Sequence, residues 1–295
     1  MMLSDKSQYC GLGFKEKSPI GPGSNEELLV SREFEEKVFL ITGGGSGIGR
    51  AQGLILAERG AKVWVTDISI ESGAETVELI AAKGGLAKFQ KLDVTIPENW
   101  QELFELIELE DGKLDGLVNN AGVSNRAGIS DTSVEEWHRV IEINLSSVFY
   151  GMKTMAPLIA KAGGGSIVNV SSIAGMVGYF SASYAASKWG VRGLSKVGAT
   201  EFAKSNIRVN SILPGLVDTP MLRSGSPNFR SEIQKSVPTN RLGEADEMAE
   251  AAIFLLSDKS RYINGSEIVI DGGLSSNGLF YRILNDLEAT ESTGK

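Results

Sequence analysis

Residues 37–60, KVFLITGGGSGIGRAQGLILAERG, constrain the fold more than any other stretch of the chain. An apolar run of strand length meets Thr42, Gly43, Gly44, Gly45, Ser46, Gly47, Ile48 and Gly49, and helical periodicity through Ala51, Leu54, Ile55 and Ala57 follows. A strand that turns into a helix over glycines gathers backbone amides and the positive end of the helix dipole at one point, which suits a pyrophosphate. Glycine-rich turns are common, so the weight falls on Asp67, which ends the next strand, KVWVTD, about 20 residues on. A carboxylate at that place meets the ribose hydroxyls of an adenosine. Gly43, Ser46, Gly47, Ile48 and Gly49 are therefore read as phosphate-binding residues, and Asp67 as the ribose-binding residue of a dinucleotide site. Asp67 would repel a 2′-phosphate, and no Lys or Arg stands at Gly44, Gly45, Ser46 or Ile68 to offset it, which favours NAD(H) over NADP. Arg50 is read as a helix-surface residue.

The alternation continues down the chain. ESGAETVELIAAKGG reads as a helix, LAKFQKLDV as a strand, residues 100–109 as a helix and KLDGLVNNAG as a strand. A long helix over residues 134–161 leads through Gly163, Gly164 and Gly165 into the strand SIVNVSS, and a further helix runs to about Lys204 before the strand NIRVNSILPG. Residues 218–241 read as irregular, broken by Pro220, Pro227 and Pro238; an Ala-rich helix and a last strand, SEIVIDGG, follow. Seven strands in this pattern predict an α/β, doubly wound Rossmann fold, with a mainly parallel sheet and helices on both faces. With no break in composition between Lys37 and Gly273, one catalytic domain over residues 34–273 is expected. Residues 1–33 read as an arm, flexible or packed on a partner, and residues 274–295 as a C-terminal extension.

Composition narrows the function. A formal charge of −8 without clustered Lys and Arg argues against nucleic acid, and no apolar run approaches the roughly 20 residues of a membrane span. Cys10, the single cysteine, precludes an intrachain disulfide or a cysteine cluster and fits a reducing, cytoplasmic setting. His138, the single histidine, precludes a histidine-based metal cluster, so no metal is expected. In VEEWHRVIEIN the apolar positions Val134, Trp137 and Ile141 leave His138 on the solvent side.

SASYAASKWGVR places Tyr184 and Lys188 four positions apart on one face of a helix. An ammonium about 5 Å from a phenol, at an effective dielectric of about 20, favours the phenolate by about 3 kcal/mol, so Lys188 is expected to pull the Tyr184 pKa down towards neutrality. Chance supplies such a pair readily, and a plain surface pair is the alternative. The setting decides: Thr42, Gly43, Gly47 and Gly49 as TGxxxGxG, Asn119, Asn120, Ala121 and Gly122 as NNAG, and Tyr184 and Lys188 as YxxxK stand in the order and spacing of one family. From about residue 37 to 273 the chain resembles the short-chain dehydrogenase/reductases. The resemblance implies that Asp93 and Val94 bind adenine, that Asn119 borders the ribose while Asn120 braces the sheet, and that PGLVDT binds the nicotinamide carboxamide through Val217 and Thr219, with Pro214 and Gly215 beside it. It implies a catalytic set of Asn144, Ser172, Tyr184 and Lys188, with Asn144 holding a water that links Lys188 to solvent. Ser172, three residues before Gly175, is chosen over Ser171, although it lies one residue closer to Tyr184 than the commoner spacing.

The resemblance thus implies an oxidoreductase that interconverts a secondary alcohol and a ketone. Met176, Val177, Tyr179 and Phe180, with Met221 beyond the nicotinamide segment, make an apolar surround, which points to a cyclic or largely hydrocarbon substrate such as a steroid, terpenoid or alicyclic alcohol. Arg223 and Arg230 offer a second reading, an acidic or acyl-carrier substrate, beside 3-oxoacyl or sugar and polyol reduction within the same family. A dinucleotide-binding scaffold without chemistry would lack one of the catalytic four, and all are present. Residues 218–241 are expected to act as a lid. Leu279, Phe280, Ile283, Leu284 and Leu287 make one apolar stripe, expected to pack on the parent domain or a partner. By resemblance the assembly is a homotetramer, or a homodimer, built through the helices 134–161 and 184–204 and the last strand.

Overall fold

β1 (Val38–Thr42) is buried along its whole length, as a central strand covered by helices on both faces must be. It lies parallel to β2 (Lys62–Asp67) on one side and β4 (Gly116–Asn119) on the other. With β3 (Leu86–Lys91), β5 (Gly165–Val170), β6 (Ile207–Pro214) and β7 (Glu267–Ile270) they form one parallel sheet of seven strands in the order β3-β2-β1-β4-β5-β6-β7. The order reverses between β1 and β4, and a crevice opens there at the carboxyl ends of the strands. This computed structural model describes residues 32–293, so the expected arm, including Cys10, lies outside the described residues except at its last two positions.

Two cores flank the sheet. On one side Trp64, Trp100, Leu117, Met152 and Val191 pack beneath α3 (Pro97–Asp111), α5 (Ser147–Lys161) and α6 (Ala182–Glu201). On the other, Ile41, Leu56, Ile80, Val168 and Ile253 pack beneath α1 (Gly47–Glu58), α2 (Ile70–Ala82) and α9 (Ala245–Leu256). No helix among the described residues is long and apolar enough to cross a membrane.

Three expectations change. The long helix over residues 134–161 is interrupted: α4 (Val134–Ile141) passes through a π-helical turn, Glu142–Ser146, before α5. The face that α4 buries carries Val140, while Val134 is 66% and Trp137 38% exposed, so the apolar stripe read from Val134 and Trp137 is not the core-facing one. His138 is exposed, as expected of the polar side.

Residues 218–241 are not irregular throughout, because Pro220 and Pro227 begin helices rather than break them, opening α7 (Pro220–Arg223) and α8 (Pro227–Gln234). Proline in a first helical turn lacks only an amide that would have had no helical partner. The C-terminal stripe forms a helix, α10 (Leu274–Thr293), with non-helical backbone at Asn277, but it does not pack on the parent domain. Leu279, Phe280, Ile283, Leu284 and Leu287 remain between 44% and 69% exposed, and polar contacts from Arg282 to Glu232 tie the helix to α8.

Candidate active site

The crevice continues into a cavity of about 960 Å³, near the upper end of the usual range for ligand pockets. One end is formed by Gly43, Ser46, Gly47 and Ile48 at the start of α1. Gly43 and Gly47 have φ of +63° and +52°, a backbone state that glycine adopts without strain. Gly49 stands behind them, where an added Cβ would lie 2.3 Å from the Gly43 carbonyl oxygen, so it serves close strand–helix packing and does not line the cavity. α1 has no acidic residue in its first turn and no side-chain cap on its amides, which leaves its amino end suited to a bound anion.

Asp67 lines the same end. Its Oδ2 accepts from the Gly45 amide and its Oδ1 from the Ser69 amide, each at 2.9 Å, so the carboxylate is fixed in place. Asp93 and Val94 lie nearby in the wall, and Thr95 donates to Asp93 Oδ1 through its amide at 3.0 Å and its hydroxyl at 2.7 Å. Arg50 is not a free surface residue: it donates to the Gly45 carbonyl at 2.6 Å, to Thr76 Oγ1 at 3.0 Å and to Glu75 at 2.5 Å, bracing the turn against α2.

Of the two asparagines at the end of β4, Asn119 departs from the expected assignment, while Asn120 makes the bracing contacts expected of it. Asn119 is buried, donates from Nδ2 to Asn169 Oδ1 at 2.8 Å, and does not line the cavity. Asn120 does line it, while its Nδ2 donates to the carbonyls of Thr42 and Gly43 at 3.0 and 3.1 Å. Successive residues at a strand end face opposite ways, so only one of the pair can reach the crevice.

At the other end, β5 runs into Ser171 and Ser172, and α6 carries Tyr184 and Lys188 past them. The Ser172 hydroxyl accepts from the Ala174 amide at 3.1 Å and stands near enough to the Tyr184 phenol to favour its phenolate. Ser171 also borders the cavity, but its hydroxyl donates to the Lys188 carbonyl at 2.8 Å and so fastens the helix to the strand. Lys188 is buried; its Nζ donates to the Val170 carbonyl at 2.8 Å and stands 5.8 Å from the Tyr184 ring centroid. Asn144 sits in the π-helical turn. Its Oδ1 accepts from the Val123 amide at 2.8 Å, and its Nδ2 donates to the Val123 carbonyl at 2.9 Å and to Ser187 at 3.1 Å. Asn144 is not in the cavity wall, but Gly122, lacking a side chain, leaves open the space between Asn144 Oδ1 and Lys188 Nζ.

The expected lowering of the Tyr184 pKa is not what this setting produces. Burial pushes the phenol up to about 12, with Ser172 opposing and the neighbouring Tyr179 adding to the rise. Burial also pulls Lys188 down to about 8. Desolvation of the two groups outweighs the attraction on which the expectation rested, because Lys188 directs its Nζ to the Val170 carbonyl.

Pro214, Gly215, Val217 and Thr219 all line the cavity between these ends. On the substrate side Val177, Tyr179, Met221, Leu222 and Phe229 give an apolar wall, with the Tyr179 and Tyr184 rings 6.0 Å apart and Phe180 against Phe229 at 5.5 Å. Met176 is not part of it. Neither proposed arginine is present: Arg223 is held by Asp218 through two contacts of 2.8 Å, and Arg230 borders a separate small depression with Lys235 and Asn240. Two other arginines do line the cavity, Arg126 from the loop after β4 and Arg139 from α4, and sequence reasoning singled out neither.

Residues 43–275 match a family model described as enoyl-(acyl carrier protein) reductase. The chain is similar to cyclohexanol dehydrogenase of Acinetobacter sp. (strain SE19), with 41% identity over 85% of this chain and 99% of that protein. It is similar as well to the 3-oxoacyl-(acyl-carrier-protein) reductase of Thermotoga maritima, with 41% identity over 81% of this chain and 98% of that one. Among solved structures, levodione reductase superposes with a TM-score of 0.80 at 33% identity, covering 82% of this chain and 99% of its own.

Proposed function

Because the chain belongs to the short-chain dehydrogenase/reductase family, we propose that it is an NAD(H)-dependent enzyme interconverting an alicyclic secondary alcohol and its ketone. The observation that carries this reading is the buried Tyr184 phenol, set beside Ser172 and Lys188 at the edge of an apolar wall. The cyclohexanol dehydrogenase relative supports the ring class of substrate.

The residues present fit a dinucleotide. The amino end of α1 would take its pyrophosphate, Asp67 the adenosine ribose, Asp93 and Val94 the adenine, and residues 214–219 the carboxamide. Asp67 supports NAD(H), and Arg50, the nearest cation to the turn, is already engaged by Glu75 and the Gly45 carbonyl. Bound nicotinamide supplies hydride acceptance from the carbinol carbon, or its return to the carbonyl carbon.

This chain's own residues handle the proton. Tyr184 Oη takes the alcohol proton in oxidation and gives it back to the forming alkoxide in reduction. Ser172 Oγ stabilises the substrate oxygen where charge develops. Lys188 holds the ammonium that favours the phenolate once the oxygen loses its proton, and a water held at Asn144 Oδ1, in the gap left by Gly122, would link its Nζ to solvent so that the proton leaves by that path. Asn144, with both ends of its amide engaged, positions the Val123 segment at this junction.

A panel of cyclohexanol, cyclopentanol, small polyols and a 3-oxoacyl thioester, followed by NADH absorbance, tests the reading. Preference for polyols would remove the alicyclic assignment; preference for the thioester would favour the second reading, which the Thermotoga relative supports. We also propose a homotetramer, supported by exposed Trp137, Phe149, Trp189 and Val197 along α4 to α6.

A further inference from the structure

Three cationic side chains line the cavity: Lys188, Arg139 and Arg126. Lys188 belongs to the proton-transfer end, and Arg139 grips Glu136 through two contacts of 2.7 Å. Arg126 has no carboxylate within ion-pairing distance among the described residues, although Arg223 and Arg241 nearby in the chain's lid each hold one with two nitrogens. Glu142, which also borders the cavity, forms no ion pair with it. The guanidinium instead rests on neutral groups of the lid, donating from Nη2 to the Met221 carbonyl at 3.0 Å and to Ser224 Oγ at 3.4 Å. Gly225 permits this approach, since a Cβ there would lie 2.9 Å from Nη2. Nε and Nη1 donate to no protein acceptor among the described residues.

Arg126 is exposed at the cavity edge, so its unengaged donors are open to an incoming anion, and a charge-assisted hydrogen bond from a guanidinium is stronger than a neutral one. Its position is fixed relative to the chemistry. Tyr179 lies 6.0 Å, ring to ring, from Tyr184, and Arg126 lies close enough to Tyr179 to favour its phenolate, while it does not act on Tyr184. Arg126 therefore stands on the side of the cavity formed by Tyr179 and Met221.

We infer that Arg126 anchors a carboxylate at the end of the substrate remote from the reacting carbon, so the enzyme acts on alicyclic hydroxy acids or keto acids in preference to bare rings. The inference rests on the assignment of Tyr184 and Ser172 to the reacting end. A guanidinium has five N–H donors, and Nη2 is engaged at Met221 and Ser224 while Nε and Nη1 have no acceptor among the described residues. The anchor thus brings substrate charge and lid together at one side chain.

Full-length enzyme with NAD, assayed on trans-4-hydroxycyclohexanecarboxylate and on its methyl ester, tests this. The wild type should favour the acid by about 10- to 100-fold in kcat/KM, chiefly through KM, which is the range expected for hydrogen bonds to a charged group. Arg126→Met should bring the acid-to-ester ratio close to one, and Arg126→Lys should restore part of it. A ratio unchanged in Arg126→Met, with both substrates falling together, would assign Arg126 to the lid alone and overturn the inference; so would a wild type that prefers the ester. Calorimetric titration with cyclohexanecarboxylate in the presence of NADH gives the same answer without turnover. Binding lost in Arg126→Met supports the anchor even if neither alcohol is oxidised, an outcome that would count against the proposed reaction instead, and equal binding in both proteins overturns it.

Discussion

Lys188 Nζ donates to the carbonyl of Val170 at 2.8 Å, which fixes a buried ammonium to the last residue of β5. Burial lowers its pKa to about 8, and this has a consequence for stability. Below pH 8 the folded and unfolded chains both carry the proton, and the full penalty of the buried charge is present. Between about 8 and 10.5 the folded protein releases the proton while the unfolded chain keeps it, so stability rises with pH through that window. Relative to Lys188→Met, the wild-type protein without cofactor should gain on the order of 3 kcal/mol across it. Thermal unfolding of both proteins from pH 7 to pH 10.5 reads the difference, and a flat difference would mean that Lys188 is not desolvated.

Adjacent serines divide two tasks. Ser172→Ala should lower kcat by about 10²- to 10³-fold, the usual loss for one donor at a developing oxyanion. Ser171→Ala should instead cost about 1 kcal/mol of stability, because it removes the hydrogen bond to the Lys188 carbonyl. Steady-state kinetics alongside urea unfolding separate the two, and a reversed pattern would move the catalytic assignment to Ser171.

Tyr184→Phe should remove nearly all turnover, about 10²- to 10⁴-fold, and keep the affinity for NADH. Fluorescence titration measures the second quantity. Activity above a tenth of wild type would refute the role of the phenol.

Cofactor choice is predicted to reside in Asp67, whose carboxylate is oriented by the Gly45 and Ser69 amides. Asp67→Ser removes the charge that opposes a 2′-phosphate and should move the NADP-to-NAD ratio of kcat/KM by about tenfold or more towards NADP. Equal use of both cofactors by the wild type would sink the NAD(H) proposal.

Most of the architecture is legible in the sequence, because the central strands such as β1 are apolar runs between turn residues and the strands and helices alternate at regular spacing. Tyr184 and Lys188 are legible too, being four residues apart on one helix. What escapes local reading is direction and reach. Whether Asn119 or Asn120 faces the crevice depends on the strand's last half-turn, and whether Met176 or Val177 enters the wall depends on how the short turn Ile173–Gly175 is wound. The reach of Arg126 is set by its contact with the Met221 carbonyl, 95 residues further along the chain. The Tyr184 pKa is misjudged from sequence because spacing conveys the neighbouring charge but not the loss of solvent.

The π-helical turn at Glu142–Ser146 sets the phase of the helix beyond it. Val140 and Val148 are both buried and stand eight residues apart. At about 100° per residue, an uninterrupted α-helix would place them about 80° apart around the axis, and absorbing one residue in the wide turn brings them to within about 20°. The insertion that carries Asn144 therefore also keeps the buried positions Val140 and Val148 on one side of the joined helices. Deleting a single residue there would leave the two valines seven positions apart in a plain α-helix, again within about 20°, so the phase of α5 would survive while the wide turn that places Asn144 would be lost; inserting a further residue would instead rotate Val148, Met152 and Met155 by about 100°.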